Sequence, residues 1–254
     1  MAERIPWTRD QQLLALRLYM RLPFGRLHGR NPEIIALARC VGRTANALAM
    51  KACNFAGLDP QFRATNRRGL SGASDADRAI WSEFAGNPEQ LAAEAEEAFA
   101  RLDPAQAARD ETGIRPPAGE TDVARIVRAR RVQSFFRAAV LTSYDFRCAV
   151  SGLAVPELLV ASHIIPWSTS VERRADPRNG LCLNALFDRA FDRGLMTFDN
   201  DLRVIVSPRL HRTASDARLT CSLDRLRGQS LSVPDRFPPD PGAIKFHRKH
   251  IFQG

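Results

Sequence analysis

Cysteine is scarce in this chain, and what there is has the wrong spacing for a metal. The five cysteines, Cys40, Cys53, Cys148, Cys182 and Cys221, are an odd number and include no C-x-x-C pair. A zinc ribbon needs four soft ligands at close spacing, so no structural zinc is expected, and reduced thiols in a cytosolic protein account for the five most simply. No apolar run approaches the length that crosses a bilayer, and the opening Met-Ala-Glu-Arg-Ile-Pro-Trp has no apolar core of a secretory signal. The expectation is therefore a soluble, cytoplasmic protein with no membrane partner. Acidic residues are also in deficit: 28 Asp and Glu stand against 37 Lys and Arg, a net charge of +9 at pH 7. The excess is mostly Arg, whose planar fork suits phosphate, so a polyanionic partner is favoured.

What is present is ordinary globular material. The 254 residues are 44% hydrophobic and 26% charged, enough for two modest domains with real cores. An α+β architecture is expected, in which an all-helical domain over 1–104 is joined by a linker at 105–121 to a second domain at 122–254. The linker is Ala-rich and then carries Gly113, Pro116, Pro117 and Gly119. In the first domain Thr8 caps a helix with Leu13, Leu14, Leu16, Leu18 and Tyr19 on its apolar face. Asn31-Pro32 opens a second helix, and Gly42 and Thr44 introduce a third, on which Ala47, Leu48 and Met50 should pack. An acidic helix starting at Pro88 carries Glu89, Glu94, Glu96 and Glu97 and should face away from any nucleic acid.

The most informative stretch is Arg147 to Asp192. A Cys-containing turn leads into an apolar strand ending at Ser162-His163, a polar loop follows, and order resumes at Asn179-Gly180 before the amphipathic segment Asn184 to Arg193. That is a strand, a loop and a helix with one His, one Asn and one Asp at fixed points. Imidazole titrates near neutral pH, so His163 is a candidate general base.

The blocks Cys148-Ala-Val-Ser-Gly152, Ser162-His-Ile-Ile-Pro-Trp167, Asn179-Gly-Leu-Cys-Leu183 and Phe191-Asp-Arg-Gly194 resemble, in this order, the HNH endonucleases, whose fold is the ββα-metal unit. The resemblance implies a metal-dependent hydrolase of phosphodiester bonds in double-stranded DNA, with Mg²⁺ or Mn²⁺ as cofactor. It casts His163 as the base that activates water and as a metal ligand beside Asp188. Asn179 becomes the residue that ties the return segment to the His-bearing loop. The family usually has a His at the third point, where this chain has Phe187-Asp188. Asp188 is a hard oxygen ligand suited to the same ions, which makes an H-N-D variant; alternatively Phe187 marks a lost ligand and the fold is a degenerate DNA-binding regulator. Ser162 is a poor ligand, so Glu157 or a backbone carbonyl would have to assist, and Asp192 is expected to cap or turn the chain ahead of Gly194.

The N-terminal helices have a helix-turn-helix outline, and Gly42 to Lys51 resembles the third helix of Myb-like domains. Arg43, Asn46 and Lys51 would then face DNA; a plain helical bundle that brings the nuclease to a protein partner is the other reading. The loop between the first helices places His28, Arg30 and Asn31 among prolines, as a pocket for a modified nucleotide or as ordinary packing. Arg67 and Arg68 lie in a basic loop, and Arg128 and Arg131 in a long helix that should pack on the nuclease core and contact the DNA backbone. A reader module joined to such a nuclease resembles modification-dependent restriction enzymes, which detect methylated or phosphorothioated sites. Cutting both strands with one site per chain would call for a homodimer. Leu195–Phe198 and Leu202–Val206 read as a hairpin, and His247 and His250 of the basic tail either reach the site or make exposed contacts.

Overall fold

The computed structural model describes residues 5–64, 70–110, 123–210 and 223–254, without the side chains of 123–125. Arg67, Arg68, Cys221 and most of the expected linker lie outside the described residues. The chain forms two compact units, Met1–Thr142 and Ser143–Gly254.

Every regular element among the described residues of the first unit is a helix. Helix α1 (Arg9–Arg21) is closed at its start by a capping box between Thr8 and Gln11, and Leu13, Leu14, Leu16, Leu18, Tyr19 and Met20 are all buried. A helix apolar on nearly every side belongs in the centre of a bundle, and α1 packs on α3 (Ala45–Leu58) and α6 (Pro88–Leu102). Helices α2 (Pro32–Cys40), α4 (Pro60–Ala64) and α5 (Asp75–Gly86) complete that layer.

Two expectations about this unit are corrected. Residues 105–110, expected in the linker, are helical: Pro104–Asp110 is helix α7, started by the Asp103 carboxylate accepting from the Gln106 amide at 2.9 Å, with Ala107 buried. An Ala-rich segment behind a cap and an N1 proline has every local reason to be helical. The long helix α8 (Val123–Ser143), expected with the second domain, groups with the first unit. Its Phe135 ring sits 6.0 Å from Phe84 of α5, and the Thr142 hydroxyl donates to the Arg21 carbonyl at 2.7 Å.

The second unit begins with a turn at Cys148–Gly152, in which the Cys148 sulfur accepts from the Ser151 amide at 3.5 Å and the Asn184 amide at 3.3 Å. Strand β1 (Leu159–His163) pairs antiparallel with β2 (Gly180–Asn184), Leu159 opposite Asn184 and His163 opposite Gly180. Asn184 then caps helix α9 (Ala185–Asp192), its Oδ1 accepting from the Phe187 amide at 2.9 Å, and Phe187, Ala190 and Phe191 are buried on the inward face. The expected hairpin is β3 (Met196–Phe198) against β4 (Val204–Val206). Helix α10 (Pro241–His250) packs on β3. The chain is α+β, a helical N-terminal part followed by a ββα unit. Among the described residues no helix is long and apolar enough to cross a membrane.

Candidate functional site

Strand β1 delivers Ser162 and His163 at its last two positions, and alternation sends them to opposite faces. Ser162 is 2% exposed and turned inward. His163 meets the loop instead: its Nε2 lies 3.0 Å from the Arg174 carbonyl oxygen, and its ring stands edge-on to Trp167 at 5.7 Å. A carbonyl can only accept, so Nε2 carries the hydrogen and Nδ1 of the neutral ring carries the lone pair. Burial pushes this imidazole down to about 4, with the Arg174 carbonyl opposing and the Arg174 charge adding to the shift. The ring is thus neutral at pH near 7, with its lone pair on Nδ1.

Asn179 is 1% exposed and spends its whole amide on the loop that carries those partners. Its Oδ1 accepts from the Ile165 amide at 2.8 Å, while Nδ2 donates to the carbonyls of Ile165 at 3.0 Å and Arg173 at 3.2 Å. The Ile164 amide also donates to the Asn179 carbonyl at 2.9 Å. A side chain with two donors and an acceptor is what such a two-sided clamp requires.

Asp188 is half-buried on α9 and meets the strand at Ser162, the residue before His163. Burial raises its carboxyl, while the Ser162 hydroxyl and the Arg189 charge pull it back. Ser162 Oγ is among the buried polar atoms that make no hydrogen bond within the usual geometric limits. Asp192, one turn further on, is pushed up to about 6 by burial and then by the charge of Asp188. The two carboxylates share one helix face, four residues apart, and the charge of Asp188 disfavours ionisation of Asp192.

The pair Asp188 and Asp192 suits a hard divalent cation. Mg²⁺ and Mn²⁺ prefer carboxylate oxygen, and Mg²⁺ is commonly held by one or two carboxylates with water and substrate phosphate completing the shell. Among the described residues no group of three or more His, Cys, Asp or Glu converges on one point, so water and phosphate would have to supply the remainder.

Several sequence expectations change here. Phe187 is a core residue, 7% exposed. Glu157 is exposed in a turn before β1, at the opposite end of that strand from His163, and cannot assist there. Asp192 shares its electrostatics with Asp188 and is more than a turn residue; the i,i+4 spacing was the available signal. His247 is 1% exposed and lies behind α9, stacked on Phe191 at 3.6 Å, so it does not reach the site.

In the first unit, five residues expected at DNA make other contacts. Lys51 is 7% exposed and ion-paired to Asp77 at 2.9 Å. Arg43 lies over the Trp7 ring and donates to Gln11 and to the carbonyls of Ile5 and Pro6. Asn31 is buried as the cap of α2 and donates to the Arg26 carbonyl, so it joins no pocket. Arg131 pairs with Glu97 at 3.8 Å, and Arg128 donates to Gln90. The acidic helix is thereby answered by arginines of its own unit, since Glu94 also takes Arg9 and Glu96 takes Arg17. His28, Arg30 and Asn46 remain exposed, as does Met50, expected to pack but 59% exposed. Asn46 lies directly over Gly29, where a Cβ would come within 1.8 Å of its Oδ1, so the His28–Arg30 loop and the start of α3 form one surface.

A family model described as HNH endonuclease matches residues 148–199, the span from the Cys148 turn through β3. No curated protein matches the chain.

Proposed function

We propose, from the HNH endonuclease domain in residues 148–199, that this protein is a metal-dependent DNA endonuclease. His163 takes a proton from water at Nδ1, and that water attacks the scissile phosphorus as the bond to the leaving 3′ oxygen breaks. Asn179 fixes the loop whose Arg174 carbonyl orients the ring. Asp188 and Asp192 would hold the divalent cation, which when bound neutralises charge on the phosphate and leaving oxygen. The observation that carries the reading is the anchoring of the base: the His163 ring at the end of β1 is held through Nε2 to the Arg174 carbonyl, on the loop that Asn179 clamps.

The first unit, in this reading, selects the target through His28, Arg30 and Asn46, in the manner of a restriction enzyme that senses modified DNA. The experiment is incubation with Mn²⁺ and supercoiled plasmid that is plain, methylated or phosphorothioated. Wild type should cut at least one substrate, and His163→Ala should lower the rate by about 10²-fold or more. Cutting unaffected by that substitution, or by chelation of the metal, refutes the proposal; equal rates on all plasmids remove the modification-sensing part.

A further inference from the structure

Helix α10 lies outside the span that matches the family model, yet each of its ends is fastened to a different half of the site. At its start Asp240 caps the helix, Oδ1 accepting from the Gly242 amide at 2.9 Å, and pairs through Oδ2 with Arg173. The Asp240 amide donates to the Arg178 carbonyl at 2.9 Å. Arg173 and Arg178 bracket the Arg174 carbonyl that holds the His163 ring, and the Arg173 carbonyl is itself a partner of Asn179.

The other end grips α9. His247 Nε2–H donates to the Phe191 carbonyl at 3.1 Å, its Nδ1 accepts from the Thr197 hydroxyl at 2.9 Å, and its ring is stacked within 4° of parallel on Phe191. Beyond the helix, the Gln253 amide donates to the Gly194 carbonyl at 2.9 Å and its side chain to the Arg193 carbonyl at 3.0 Å. Gly194 has φ +67, and a Cβ there would fall 2.1 Å from the Ile251 carbonyl oxygen, so only glycine lets the chain lie this close. Phe191 sits between Asp188 and Asp192. One ten-residue rod, about 15 Å long, therefore joins the loop that orients the base to the helix that bears the carboxylates.

We infer that α10 is a positioning strap for the nuclease site, with Asp240 as the positioning residue for His163 and His247 for the carboxylates of α9. This rests on the nuclease reading. Outer residues of this kind are worth about 10- to 100-fold in metal affinity or activity.

The experiment splits the two ends. Asp240→Asn keeps a capping side chain and removes the charge that holds Arg173; it should lower kcat by about tenfold while the Mn²⁺ concentration for half-maximal rate stays within about twofold. His247→Ala should raise that Mn²⁺ concentration by about tenfold, and His247→Gln, which can still donate to the Phe191 carbonyl, should recover most of it. Amide exchange at Ile165, whose hydrogen goes to Asn179, and at the carboxyl end of α9 reports each half without any cleavage assay. Folded variants with wild-type kcat and Mn²⁺ dependence overturn the strap. So does an equal loss of kcat in both variants with no change in metal dependence, since that is a smaller folded fraction only. A wild type that cuts nothing defeats the nuclease reading instead; the strap then falls if exchange at both places is unchanged in both variants.

Discussion

Two histidines in the second unit are held by different hydrogen-bond partners. Both are pushed down to about 4 from 6.5 by burial. His247 has both nitrogens bonded inside the core, to Thr197 and Phe191, and serves packing. His163 is fixed through one nitrogen to a loop carbonyl. At the same scale, Lys51 and Asp77 show why a basic residue on a helix-turn-helix outline need not touch DNA. Asp77 closes the capping box of α5 with Ser74 and accepts from Lys51 and Asn54, all at buried positions. Asp77→Ala should destabilise the first unit by about 3 kcal/mol, because it strands a buried ammonium and removes a cap. Urea unfolding of the full chain reads this as a lower midpoint, and a change within about 0.5 kcal/mol would mean that Lys51 finds water.

Helix α9 is short, eight residues, and holds its place through its caps and its apolar face more than through intrinsic propensity. Asn184→Ala should cost about 1 kcal/mol by leaving the Phe187 amide unsatisfied. It should also raise the Mn²⁺ requirement of cleavage, since Asp188 sits in the first turn; an unchanged requirement would separate the cap from the site. Much at this scale was legible in sequence, for local reasons: Thr8, Asn31, Thr44, Ser74 and Asn184 all sit where a cap belongs, and all act as caps. Asn179, too, could be placed at the start of the return segment. What could not be read was tertiary. The arginines of α8 look like phosphate ligands until α6 supplies Gln90 and Glu97 opposite them. The attachment of α10 to both the loop and α9 joins residues more than fifty positions apart, which no periodicity reports.

Across the whole molecule, the buried imidazoles set a pH window. Their folded pKa values lie below the unfolded value of 6.5, so the unfolded chain takes up protons first as the solution is acidified. Stability is complete above about pH 6.5 and is lost as pH falls toward 4, by on the order of 3 kcal/mol for each histidine. Asp192, raised to about 6, works in the opposite sense, but it is exposed and returns little. Thermal unfolding followed from pH 7.5 to 4 should show a steadily falling midpoint that is flattened in His247→Phe; a flat wild-type profile would contradict the burial of both rings. The same anchoring carries a consequence for turnover. Under the proposed mechanism, with Nε2 committed to Arg174, His163 is no relay: a proton taken up on Nδ1 would have to leave from that same nitrogen before the next cycle.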